Sequence, residues 1–395
     1  MHSNADVLPD RSFGQLFDYP FRIFFFSLAI MAVVAVPLWG GVVTGEVDLP
    51  LALPGLFWHQ HEMLFGFLSA AIAGFLLTAV CVWTNTERMH GAQLLGLWSV
   101  WLVGRLMLAG GANLSDWLVN FVNLAFIPLI MFDAGRRIWK ARQHRQWVIL
   151  AVLALLWTMQ LGFLLTHGRM FIVGGLVIAM ALSGIVGGRI TPAFSRSWLR
   201  QTGRDGSAVR IVPALDTLSL VSMLALLASL FTRYETLSGL LSMLAAILML
   251  VRIIGWKGWL VASNPLLWIL HLSLLWIPVA LALLSGHLLL DWPAGAWLHA
   301  AGLGVIGGLV LGVISRVALG HTGRALLLPG GMVLAFACVH LAAITRVSTT
   351  FGIIDWMVGL RLAAALWVMA FALFLFRYAG ILMRPRVDAT WKGLP

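Results

Sequence analysis

The sequence predicts an all-α, polytopic integral membrane protein of about twelve transmembrane helices in one bundle, with both termini cytoplasmic. Three observations predict it. The 395 residues are 61% hydrophobic and only 10% charged, with a mean hydropathy of +0.95, a balance foreign to soluble domains of this length. Apolar runs recur from Phe21 to Gly380, and about 20 such residues cross a bilayer. Basic residues gather in alternate loops between those runs, as the positive-inside rule requires.

The elements follow in order. The first span, 21–43, ends before Glu46 and Asp48. The second, 56–83, opens on Leu56-Phe57-Trp58-His59-Gln60-His61-Glu62-Met63. Spans three and four, 90–110 and 116–138, meet at Asp116, and the fourth runs into a loop with Arg136, Arg137, Lys140, Arg142 and Arg145. Spans five and six, 147–166 and 170–188, are separated by Arg169. A second basic segment follows with Arg189, Arg196, Arg200, Arg204 and Arg210. Spans seven and eight, 211–232 and 237–256, join across Arg233 and Glu235; nine and ten, 265–286 and 295–316, join across Asp291. Spans eleven and twelve cover 327–346 and 356–380, and the tail carries Arg384, Arg386 and Lys392. The chain thus divides into a cytoplasmic segment 1–20, a membrane domain 21–380 and a cytoplasmic tail 381–395.

Several classes are excluded. The net charge of +11 does not mark a nucleic-acid binder, because the basic residues obey insertion topology. The start, with Asp6, Asp10, Arg11 and Asp18, is not that of a removable signal peptide. No internal repeat points to an inverted-repeat transporter. Cys81 and Cys338 stand isolated in apolar runs and read as buried structural thiols. Arginine outnumbers lysine 23 to 3; much of that anchors the protein in the membrane, and arginine also suits bidentate carboxylate pairing, haem propionates included.

Ionisable residues inside a span are functional-site candidates, and His59, His61 and Glu62 concentrate them. At about 100° per residue, side chains at i and i+2 point roughly 200° apart. His59 and His61 therefore cannot be the two axial ligands of one haem. They can serve two metals, or one can bind a metal while the other makes a hydrogen bond. Glu62, read as the only acidic residue clearly inside a span, would fix an imidazole tautomer. The bland alternative is an interfacial belt with Trp58 at headgroup depth.

The predicted topology puts His59, His61, His287, His299 and His340 towards the outer side. His299 opens span ten ahead of Gly302, Gly304, Gly307 and Gly308, small residues that admit a close helix or a flat macrocycle. Arg105, in the outer third of span three, calls for a carboxylate, either Glu62 or a haem propionate. On the inner side, His271 is a lone imidazole in an apolar turn of span nine. His321 falls in the loop Ser315-Arg316-Val317-Ala318-Leu319-Gly320-His321-Thr322-Gly323-Arg324, which can hold an anion or simply obey insertion rules. Arg189, beyond Gly187-Gly188, reads as topology. There is no C-x-x-C-H, so any haem is held non-covalently, as b type.

At these residues the chain resembles the NnrS family of bacterial haem- and copper-containing membrane proteins. Six ordered blocks carry the resemblance: W-H-Q-H-E-M-L-F-G-F with A-G-F-L-L-T-A, G-R at 104–105, G-G-R-I-T-P at 187–192, P-L-L-W-I-L-H-L, H-A-A-G-L-G and S-R-V-A-L-G-H-T-G-R. The third departs from the family pattern, with Ala193, Phe194 and Ser197 where an aromatic pair and an asparagine are expected. The resemblance implies a twelve-helix inner-membrane protein of nitric oxide tolerance, with haem b and copper. It makes His59, His61, His271, His299 and His321 the metal-site candidates, with Arg105, Glu62, Arg189, Arg316 and Arg324 beside them.

The predicted function is a haem and copper protein that binds or redox-processes nitric oxide or a nitrosylated metal species, supplied by a quinol or another electron donor. The outer site would use His59, His61 and His299 with Arg105 near the propionates; an inner one would use His271 and His321. The alternatives are a non-catalytic sensor or metal-handling protein, and a transporter with a histidine pathway.

Overall fold

The computed structural model describes residues 14–387 apart from Arg233. The expected extramembrane residues 1–13 and 388–395, with Lys392, lie outside the described residues. Among the described residues, twelve helices are long and apolar enough to cross a membrane. They are α1 (Pro20–Thr44), α2 (Gly55–Thr84), α3 (Gly91–Gly110), α4 (Asp116–Lys140), α5 (Trp147–Thr166), α6 (Arg169–Gln201), α7 (Pro213–Ser229), α8 (Glu235–Gly255), α9 (Pro265–Leu290), α10 (Ala294–His321), α11 (Met332–Thr350) and α12 (Trp356–Leu382). No strand occurs among the described residues. The protein is a multi-pass membrane protein of the predicted class.

Burial sorts the helices into centre and rim. In α2, α6 and α10 between 72% and 78% of the most apolar window is buried, against 28% in α3 and α7. Lipid tails are as apolar as leucine, so close packing rather than water exclusion joins such helices. Gly175 of α6 provides one such contact: a Cβ there would stand 2.8 Å from Leu64 of α2. The two central helices that carry the histidine motifs are irregular. α2 contains a π-helical turn over Glu62–Phe67 and α10 another over Ala300–Gly307.

Three helices differ from expectation in ways that move a candidate residue. α6 does not stop at residue 188 but continues to Gln201 through Gly187, Gly188 and Pro192. Glycine and proline are stop signals in isolation, but here Leu274 of α9 and the Arg252 guanidinium of α8 fill the space over Gly187 and Gly188. Arg189 is therefore an exposed helical residue, donating to Gln146 Oε1 at 3.2 Å. α10 runs to His321, so His321 ends a helix and does not lie in a loop. α11 spans Met332–Thr350, not 327–346, because Gly331 takes a left-handed φ of +84° just before it. His340 consequently sits at mid-helix and not in an outer third.

Two further expectations change. Glu62 is not the only acidic residue inside a span: Asp133 of α4 is buried, ion-paired to Arg137 at 2.8 Å. Trp58 is buried too, which removes the interfacial-belt reading.

Candidate functional site

His59 and His61 point to opposite sides of α2, as their spacing dictates. His59 faces a cavity of about 370 Å³ walled by α1, α2, α6, α10, α11 and α12, within the range of small-molecule and cofactor pockets. Its lining is mostly apolar, with Trp39, Met63, Phe67, Leu303 and Trp367 among the walls. The imidazole of His59 stacks on Trp39, centroids 4.1 Å apart, and makes no hydrogen bond among the described residues. His299 lines the same cavity from α10. Its Nδ1–H donates to Gly295 O at 2.7 Å, which leaves Nε2 as a lone-pair donor. Such a backbone bond fixes the tautomer of metal-binding histidines.

Three more polar or small groups complete this cavity. Arg346 of α11 is buried with Nη1 unpartnered among the described residues, and Gln60 Oε1 is likewise without a partner there. A Cβ on Gly302 would meet nothing within 4 Å, so the bare backbone there opens onto free volume. Two imidazoles, a guanidinium with Nη1 unpartnered among the described residues, apolar walls and a bare glycine backbone are compatible with the non-covalent haem that the family resemblance implies.

His61 belongs to a different group. It is 0% exposed, and Gln160 Nε2 of α5 donates to its Nε2 at 3.2 Å. Its Nδ1 faces Glu62 Oε1 at 3.2 Å, and Glu62 Oε2 pairs with Arg105 Nε of α3 at 3.2 Å. Arg105 donates in turn to Asn123 Oδ1 of α4, and Gln160 Nε2 also reaches Asn123 O at 3.2 Å. Successive residues on a regular helix do not face one another. His61 and Glu62 both keep α-helical torsions, so it is their side chains that turn towards each other, at the point where the π turn over Glu62–Phe67 begins. Of the two partners expected for Arg105, the structure supplies Glu62; Arg105 does not line the large cavity, and Arg346 is the cation that does.

The remaining candidates are dispersed. His271 Nε2 lies 2.9 Å from Ser195 Oγ, which itself donates to Thr191 O. His271 is therefore the donor, and its Nδ1 is buried without a partner, close to Gly258. Next to Ser195, Phe194 lies under the Arg316 guanidinium at 4.1 Å. His321 packs on Phe21, centroids 5.6 Å apart. No hydrogen bond or ring contact joins His271 to His321 among the described residues. Arg324 follows α10, reaching Thr322 O at 3.5 Å. His287 Nδ1–H donates to Trp292 O at 2.7 Å, and His340 Nδ1 accepts from Trp276 Nε1 at 3.1 Å. No group of three or more His, Cys, Asp or Glu suited to a metal ion occurs among the described residues.

The residues that sequence reading missed are Arg346, Asn123 and Gln160. Arg346 stood at the predicted end of its span, where a long arginine side chain can reach the interface and needs no partner inside the bundle. Neutral amides inside apolar runs were the available signal for the other two.

The family model for NnrS protein matches residues 15–386. The chain belongs to the NnrS family. That membership covers nearly the whole bundle and fits a membrane protein related to nitric oxide stress. No curated protein matches this NnrS chain.

Proposed function

We propose that this NnrS protein holds a b-type haem in the α2/α10 cavity and uses it to bind or redox-process nitric oxide or a nitrosylated metal species. The observation that carries the reading is the convergence of His59, His299 and the unpartnered Arg346 on one apolar cavity. His299 is the anchored donor, its Nε2 lone pair fixed by the Gly295 bond. His59 is the freer imidazole, held by stacking alone. Arg346 would receive a propionate, the pairing that a guanidinium makes best. The apolar walls exclude water and suit a small uncharged gas. When bound, the haem iron supplies a position for nitric oxide and a one-electron couple.

Copper, which the resemblance also implies, finds no donor set of three or more among the described residues, and no role is derived for it. The family resemblance favours a bacterial inner-membrane location, and the arginine-rich loops favour both termini cytoplasmic. A quinol or another donor in the membrane would supply electrons.

The test is haem content and an anaerobic absorption spectrum, with and without nitric oxide. Wild-type protein is expected to carry haem, and His59→Ala and His299→Ala are expected to lose it or change its spectrum. Unchanged haem content and spectrum in both variants would overturn the assignment. Stopped-flow consumption of nitric oxide beyond one equivalent, with reductant present, separates turnover from stoichiometric binding by a sensor.

A further inference from the structure

Five residues from four helices, linked through four side chains and both the backbone and side-chain oxygens of Asn123, close a largely buried polar ring next to the cavity. Read in order, Asn123 O accepts from Gln160, Gln160 donates to His61, His61 faces Glu62, Glu62 pairs with Arg105, and Arg105 returns to the Asn123 amide oxygen. The hydrogens of this ring follow from its acceptors. Gln160 Nε2 sits 3.2 Å from both Asn123 O and His61 Nε2. The carbonyl can only accept, so the amide nitrogen is correctly placed there, and its second N–H serves His61. His61 Nε2 is therefore an acceptor, and in the neutral ring the proton is on Nδ1, facing Glu62. Both ring nitrogens are spent, and neither has a lone pair left for a metal.

We infer that His61 is a positioning residue and not a metal ligand: the ring fastens the π turn of α2 to α3, α4 and α5 and so sets the orientation of His59. This rests on the haem reading of the cavity. The geometry explains why the lock lies here. A π turn gives up the regular i→i−4 ladder, so contacts to neighbouring helices have more to hold in place where it starts. His61 and Glu62 are the residues at that start, and both are almost fully buried, at 0% and 2% exposure. The ring is also balanced in charge, with one carboxylate, one guanidinium and three neutral members. The two members of the histidine pair thus divide the work, His59 towards the cavity and His61 towards the helices behind it.

The test uses the purified full-length holoprotein and reads the haem, not its activity. His61→Gln, which keeps an acceptor and a donor, is expected to retain wild-type haem content and the wild-type axial ligand set. His61→Leu and Gln160→Leu are each expected to keep the haem while shifting its electron paramagnetic resonance g-values in the same direction. The double variant is expected to shift them no further than either single change, because one ring is broken in each case. Loss of haem in His61→Gln matching that in His59→Ala would overturn the inference. So would a Gln160→Leu spectrum identical to wild type. If wild-type protein carries no haem, the haem reading fails, and the ring is then tested by thermal unfolding. Melting-temperature losses for His61→Leu and Gln160→Leu that are non-additive support the lock; strictly additive losses overturn it.

Discussion

His59 and His299 face one cavity from two helices, and a π-helical turn begins within three residues of each. π turns are rare and gather at functional sites. Here they reshape the cavity wall on both sides. On α10 the turn contains Gly302, whose backbone faces open volume; on α2 it carries Glu62 into the ring that holds His61.

Arg346 brings the one permanently charged side chain to the cavity lining. Arg346→Met is expected to weaken haem retention about 10- to 100-fold, the equivalent of one charge-assisted hydrogen bond worth roughly 1.5–3 kcal/mol. Arg346→Lys keeps the charge but loses the bidentate fork and is expected to fall between. Haem transfer to an excess of a soluble haem acceptor measures both. Equal retention in all three proteins would detach Arg346 from the cofactor.

Gly302 separates volume from stability. Gly302→Leu adds a side chain where a Cβ meets no neighbour within 4 Å, so the apoprotein is expected to melt at the wild-type temperature. Its haem content is expected to drop several-fold, because the added carbons occupy the cavity. Gly302→Ala is expected to bind haem nearly as wild type does. Full haem content in the leucine variant would place the macrocycle elsewhere.

The Glu62–Arg105 pair is a stability element before it is anything else. Glu62→Ala leaves a buried guanidinium without its counter-charge, and breaking such a pair costs about 3–5 kcal/mol. Arg105→Leu is expected to cost a similar amount. The double variant Glu62→Ala/Arg105→Leu is expected to cost less than the sum, since no orphaned charge remains. Denaturation in detergent, followed by tryptophan fluorescence, compares the three. Additive losses would show that the two groups act independently.

The helix count and class were legible because each span is a long, predominantly apolar run, and single ionisable residues or prolines do not cancel that signal. The orientation of the histidine pair was legible as well, since a 200° separation follows from helical geometry alone. The end of α6 was not, because Gly187-Gly188 reads as a stop until Leu274 and Arg252 are seen to pack over it. Arg346 was obscured for a related reason: four more helical residues follow it, which moves it from a span end into the cavity wall. Asn123 and Gln160 were invisible singly. Their meaning comes from the ring, which joins α2, α3, α4 and α5 across nearly 100 residues of sequence.

His271 tests whether α9 carries a second cofactor. Its Nε2–H is spent on Ser195, and no second imidazole contacts it. His271→Phe is expected to leave the haem content per chain and the absorption spectrum unchanged, at a stability cost of about 0.5–1.5 kcal/mol for one lost hydrogen bond. Ser195→Ala is expected to be the more damaging change of the two. It leaves both nitrogens of a buried imidazole unpartnered, because Nδ1 already lacks a partner, and an unsatisfied buried polar group costs about 1–3 kcal/mol. Haem content and melting temperature, measured on the same preparations, distinguish the cases. A fall in haem per chain to half in His271→Phe would place a second haem at α9 and overturn the structural reading of that histidine.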